Sequence, residues 1–213
     1  MRKISEIYEE YNIMRNLREH QMRVAAVALQ IADNFSEDLD KKIIIVACLL
    51  HDMGNILKSD LNVFPEFVLP EGVDYWEKVK SEFMERYGTD DHEAHLKIAT
   101  ELGVSDGVLE CIDAVGFENW SKTYKEGDWH EKISAYADSR VAPYGVVPLE
   151  DRLEEARVRY PVLGSEAEQG RKIVYDFMRE IEKDIFLNSS IKQSDITDES
   201  IKSYLEKLKD FEI

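Results

Sequence analysis

Proline and glycine are scarce, five and ten among 213 residues, and they fall between periodic segments. That argues against a fold of many short strands joined by turns and favours long helices. Cysteine is scarcer still. Cys48 and Cys111 both lie among apolar residues, too few for a disulfide framework, and are expected to be reduced core thiols. No uninterrupted apolar run approaches the roughly eighteen residues of a membrane span, and the first six residues hold no apolar signal core. A soluble cytoplasmic protein is the expectation. Positive charge is also in deficit: 27 Lys and Arg stand against 44 Asp and Glu, a formal net charge of −17. A surface that grips nucleic acid needs a basic stripe, so that class of partner is not expected. A small phosphorylated substrate stays open, because a bound cation reverses the local field.

What the chain does have is helical periodicity. Ile4, Ile7, Tyr8 and Tyr11 predict a short helix over 4–13. Leu17, Val24, Val27, Ala28 and Ile31 form one stripe, predicting a helix from a cap at Asn16 to about Asp33. Ser36 or Asp38 can start the next element. By periodicity alone the apolar run Ile43–Leu50 fits a buried strand or a buried helix, and helix is preferred because no other segment offers strand partners. Further helices are predicted over 75–87, 90–102, 106–115, 129–142, 149–160, 165–186 and 197–211. Residues 55–74 and 116–127 read as irregular, the first long enough for a lid or binding loop. Residues 143–148 read as a turn. With no internal repeat or linker, the expectation is an all-α chain forming one domain over 1–213. Its motif-bearing core would cover about 15–142 and a helical extension about 148–213.

The run Ile43–Leu50 ends abruptly in His51-Asp52, two groups hard to bury without a partner. Alone, they fit a backbone-bonded histidine and an aspartate capping a turn. His20, however, lies inside the inward stripe of its own helix, and Asp138 follows Ala137 on or beside the inward face of another. An aspartate there needs a cation or hydrogen-bond donors. Two imidazoles and two carboxylates from three helices suit a divalent metal with positions left for water or substrate. Such an ion lowers the pKa of bound water and polarises a phosphoryl or carbonyl oxygen. Mn, Co, Ni, Fe, Zn and Mg all remain open.

The motifs stand as Glu19-His20-Gln21-Met22-Arg23-Val24-Ala25, Leu49-Leu50-His51-Asp52-Met53-Gly54 and Ala135-Tyr136-Ala137-Asp138-Ser139-Arg140. In that order they resemble the HD-domain superfamily of metal-dependent phosphohydrolases, over roughly residues 15–142. The resemblance implies a helical bundle in which His20, His51, Asp52 and Asp138 hold one divalent ion. It also implies hydrolysis of a small phosphorylated substrate, a nucleotide first among the candidates, by metal-activated water. His51-Asp52 through Lys58-Ser59-Asp60-Leu61 is similar to the corresponding segment of HD-type 5′-deoxynucleotidases, where a glutamate and then an aspartate serve catalysis and substrate binding. Asp60 matches the aspartate. Asn55 stands in place of the glutamate, and an amide cannot act as a general base near neutral pH. Asp52 is then expected to orient water as well as bind metal, and Asp60 to contact substrate or assist proton transfer. Arg18 and Lys58 are the preferred phosphate contacts, with Asn55 and Arg140 as further substrate-side groups.

Two other functions stay open at this level. A two-metal phosphodiesterase or nucleotide pyrophosphohydrolase would use His92, with Glu118 in place of a second extra histidine; about two bound ions per chain, rather than one, would mark it. Apart from any family, His92 and His95 share a helical face, but their spacing is one short of the zinc-protease motif. The plainer assignment makes His92 a helix cap, His95 half exposed and His130 a surface or capping residue. A regulatory protein that keeps metal and nucleotide but little turnover is the third possibility, supported by Asn55. The amphipathic C-terminal helices offer a surface for a homodimer; no membrane partner is expected.

Overall fold

The computed structural model describes residues 2–213. Its helices are α1 (Ile4–Glu10), α2 (Arg15–Asp33), α3 (Lys41–Leu50), α4 (Val73–Tyr87), α5 (Asp91–Glu101), α6 (Asp106–Val115), α7 (Trp120–Glu126), α8 (Trp129–Asp138), α9 (Leu149–Arg159), α10 (Ser165–Leu187) and α11 (Lys202–Leu208). The fold is all-α, as expected. The only strands among the described residues are a two-residue antiparallel pair, Val141–Ala142 with Gly145–Val146, inside the stretch read as a helix end and a turn.

α3 is the axis of the molecule. Every residue from Ile44 to Leu50 is buried, because the helix packs against α2, α6 and α8 together. A helix apolar all round belongs in an interior, which resolves the strand-or-helix ambiguity. Its start differs from expectation: Asp40, not Ser36 or Asp38, caps it, accepting from the Lys42 amide at 3.0 Å. Asn16 likewise does not cap α2. Met14 occupies that position, and Asn16 lies within the first turn. Asp128 caps α8 through the His130 and Glu131 amides. His130 Nδ1 lies 3.0 Å from Asp128, and its Nε2 accepts from the Asp40 amide at 3.1 Å, tying the starts of α3 and α8 together.

The long segment after α3 is packed rather than loose. Ile56, Leu57, Leu61 and Val68 are buried. Trp76 on α4 donates to the Val68 carbonyl at 3.2 Å, and Lys80 to that of Ser59 at 2.7 Å. Residues 120–126, read as irregular, form α7; it buries only Trp120 and Thr123, too few positions to make a stripe.

The C-terminal helices share the core of the rest. Met178, Ile181, Ile185, Ile196, Ile201 and Leu208 are buried in the same cluster as α2 and α3. Chain ends meet: the Arg2 amide donates to the Ile213 carbonyl at 2.9 Å, and Ile4 to Phe211 at 3.0 Å. No helix among the described residues is long and apolar enough to cross a membrane.

Arg140 fastens this extension. Only 2% exposed, it donates to the carbonyls of Val147 (2.6 Å), Gln193 (3.2 Å) and Ile196 (3.1 Å) and to the Tyr136 hydroxyl (2.7 Å), which in turn donates to Glu182. Removing it strands several buried acceptors. Arg140→Ala is expected to lower unfolding stability by about 2–4 kcal/mol in urea titrations; an unchanged midpoint would contradict this fastening role.

Candidate metal centre

His20 enters from α2, His51 caps the end of α3, Asp52 follows it, and Asp138 is the last residue of α8. They reach the same point because α2, α3 and α8 pack against one another, and each residue interrupts or ends an apolar face of one of them. Asp138 Oδ1 lies 2.9 Å from His20 Nε2 and 3.3 Å from His51 Nε2. Asp52 Oδ2 lies 3.6 and 3.8 Å from the same two nitrogens. Ligand atoms of His20, His51 and Asp52 all fall within 4.8 Å of one another.

The histidine chemistry favours a cation. His51 donates from Nδ1 to the Cys48 carbonyl at 2.8 Å, which leaves the Nε2 lone pair directed at the two carboxylates. That Nε2 is buried and has no hydrogen-bond partner. A lone pair facing carboxylate oxygens is repulsive unless a proton or metal ion lies between them. The donor set is mixed nitrogen and oxygen and suits the divalent metals named above. Without an ion, a proton takes that place. Burial works against protonation of His51, but the charges of Asp52 and Asp138 outweigh it and raise its pKa to about 9. Burial likewise opposes ionisation of Asp52 and Asp138, and the imidazoles overcome it, holding both carboxyls below their ordinary range.

A ring of further contacts aims these groups. Asn55 donates from Nδ2 to Asp52 Oδ2 at 2.6 Å. Gln21 Oε1 accepts from the Asp52 amide at 3.3 Å. His95, expected to be half exposed, is 4% exposed. Its Nδ1 accepts from the Gly54 amide at 2.8 Å, so Nε2 carries the proton, 3.6 Å from Asp91 and 3.9 Å from Asp52. The apolar residues Ala94, Ile98 and Ala99, set around His95 at helical spacing, are the signal in the sequence that it faces inward. Gly54 makes this possible by close approach: a Cβ there would stand 2.6 Å from Ala94 Cβ and 3.2 Å from His95 Nδ1.

The four groups lie at a cavity of about 800 Å³, which Asn55, Lys58 and Asp60 also line. Lys58 pairs with Asp91 at 2.7 Å. Burial disfavours its charge, yet Asp52 and Asp91 raise its pKa. Asp60 is exposed and accepts from the Asn62 amide and side chain at 3.0 and 3.2 Å. His92 also faces the cavity, but its Nε2 pairs with Asp113 at 2.9 Å, not with Asp52. Two expectations are corrected. Arg18 is turned to the α1–α2 connection, donating to the Ile13 and Tyr8 carbonyls at 2.6 and 3.2 Å, and Arg140 is the buried fastener described above. Neither lines the cavity. Residues that do, and that sequence alone did not suggest, include Asn16, one turn before His20 with its Oδ1 buried and unpaired, and Arg152 and Arg171 from the extension.

A histidine–aspartate centre at the crossing of buried helices, opening on a cavity, makes this a helical protein with a cluster that could hold a metal ion. More particularly, residues 17–102 match the model of the HD domain. That domain defines a superfamily of metal-dependent phosphohydrolases. No curated protein and no solved structure matched the chain. Asp138 comes from outside the matched stretch.

Two outcomes are expected. In chelator-treated protein the His51 contribution is complete below its unfolded pKa of about 6.5 and is lost as pH rises through about 9, while Asp52 and Asp138 withdraw theirs as pH falls through the acidic range. The urea midpoint should therefore be higher at pH 6 than at pH 9; the reverse order would contradict the assigned protonation. Gly54→Ala, which forces backbone and His95 apart, should lose about 1–3 kcal/mol of stability by the same method.

Proposed function

We propose that the chain is a metal-dependent phosphohydrolase acting on a small phosphomonoester, a nucleotide first among candidates. Convergence of the His51 Nε2 lone pair, buried and unpaired, with His20, Asp52 and Asp138 at the edge of an 800 Å³ cavity carries this reading. Cavities of this size admit a nucleotide-sized ligand. When bound, a divalent ion there supplies the Lewis acid that makes water nucleophilic at neutral pH and draws charge from the phosphoryl oxygens.

This chain's own residues have separate tasks. His51 and His20 hold the ion side of the site, with the His51 tautomer set by Cys48. Asn55 fixes one oxygen of Asp52, so the carboxylate is oriented rather than free to rotate; Asn55 itself transfers no proton. Asp52 positions the attacking water. Lys58, held by Asp91, neutralises charge on the phosphate. Asp60, exposed on the cavity lining, contacts the substrate beyond its phosphate. With Arg18 and Arg140 engaged elsewhere, Lys58 is the phosphate contact retained from the expected set. The two free, buried cysteines support action in a reducing compartment such as the cytoplasm.

A panel of nucleoside mono-, di- and triphosphates with Mn, Co, Ni, Zn and Mg tests the reading. Phosphate release is expected from monophosphates, with about one ion per chain by elemental analysis. His51→Ala and Asp138→Ala should each lose bound metal and at least about 100-fold in turnover while remaining helical by circular dichroism. Asn55→Ala should retain metal and lose about tenfold. Release of phosphate from none of these compounds would leave a binding protein, and wild-type metal content in Asp138→Ala would remove that residue from the site.

A further inference from the structure

Another part of the cavity wall is made by α9 and α10, which lie outside the HD match. These helices and the link between them present Arg152, Arg159 and Arg171 to the cavity and no carboxylate. Glu155 and Glu168 pair with these arginines without lining it. In a protein of net charge −17, such a patch is a departure from the surroundings.

Arg171 is the informative member. Its side chain is 9% exposed. Nη1 donates to the Tyr160 carbonyl at 2.9 Å, and Nη2 pairs with Glu168. Nε is buried and has no partner. A guanidinium keeps its charge at all working pH values, so this N–H is a permanent donor on a permanent cation. Buried donors are normally satisfied, and an unpaired one on a residue that lines the cavity points to an acceptor brought from outside. Arg152 lines the same cavity: Nε donates to the Val141 carbonyl at 3.2 Å and Nη1 to Glu155 at 2.7 Å, which leaves Nη2 available. Tyr175 lines the same cavity as Arg171 and Arg152. Tyr175 packs edge-on against Phe117 at 5.9 Å, so the patch adjoins an aromatic wall.

We propose that Arg171 and Arg152 form a second anion subsite, so that the natural substrate is a phosphomonoester carrying a second phosphate. The scissile phosphate sits at the His20–His51–Asp52–Asp138 centre, and the second is bound by the guanidiniums of α9 and α10. This rests on the hydrolase reading for the first phosphate only. It accounts for two cavity-facing arginines that the metal chemistry does not use.

The test compares 2′-deoxyadenosine 5′-monophosphate, its 5′-diphosphate and its 3′,5′-bisphosphate on the metal-loaded full chain. Binding is read by the fluorescence of Trp120, a cavity residue, within the first milliseconds of stopped-flow mixing, and phosphate release is followed afterwards. At least one doubly phosphorylated nucleotide should bind about tenfold tighter than the monophosphate, and which one does so places the second phosphate on the molecule. Arg171→Gln should bring that ratio to within about twofold of unity. Arg152→Gln provides the same comparison if loss of the Tyr160 contact prevents Arg171→Gln from folding, as judged by its circular dichroism. Equal binding of all three nucleotides, or a preference that survives both substitutions, overturns the subsite. A preference without phosphate release keeps the subsite and overturns the hydrolase reading; release without preference does the reverse.

Discussion

Two carboxylates and the unshared electron pair of an imidazole face one another where three helices cross, and the arrangement holds only with positive charge between them. The field is strong because His51 is almost wholly enclosed and its partners mostly so. A proton or a divalent ion can supply the charge, and the two compete for the same place. Much of the fold follows from making this place. α3 is apolar on every side so that it can be enclosed, and its last turn delivers His51 and Asp52 to the meeting point of α2 and α8.

Around the centre, hydrogen bonds do what packing alone cannot. Cys48 selects the His51 tautomer, Asn55 and Gln21 restrain Asp52, and Gly54 lets α5 come close enough for His95 to face inward. His95 and Asp91 connect the centre to Lys58. The site is therefore layered: a tight inner group whose geometry is over-determined, and an outer cavity whose cations are held more loosely by neighbouring acids. Such a division suits chemistry that is fixed and recognition that varies.

The inner layer was legible in the sequence because periodicity reports direction. His20 lay in an apolar stripe, Asp138 beside another, and His51-Asp52 at the end of a third. Arg18 and Arg140 lay beyond what periodicity reports. Arg18 is two residues before His20 on α2, which turns it to a different face, and α8 ends before Arg140, so no helical face directs that side chain. His95 was underrated although Ala94, Ile98 and Ala99 pointed the same way. Arg152 and Arg171 could not be found at all, since only the docking of α9 and α10, contacts distant in sequence, brings them to the cavity. The tiny hairpin at 141–146 is too short to show alternation, and α7 buries only Trp120 and Thr123, too few positions for a stripe.

Arg140 stands two residues after Asp138 and holds the turn at 193–196 to the hairpin that follows α8. Anything that steadies the end of α8 therefore steadies the C-terminal wrap, and anything that loosens the wrap disturbs Asp138. Since a ligand that binds only the native state stabilises all that is folded with it, an ion held at this centre would extend its thermodynamic reach to a surface segment it never touches. The tail would share in that stabilisation through the hydrogen bonds of Arg140.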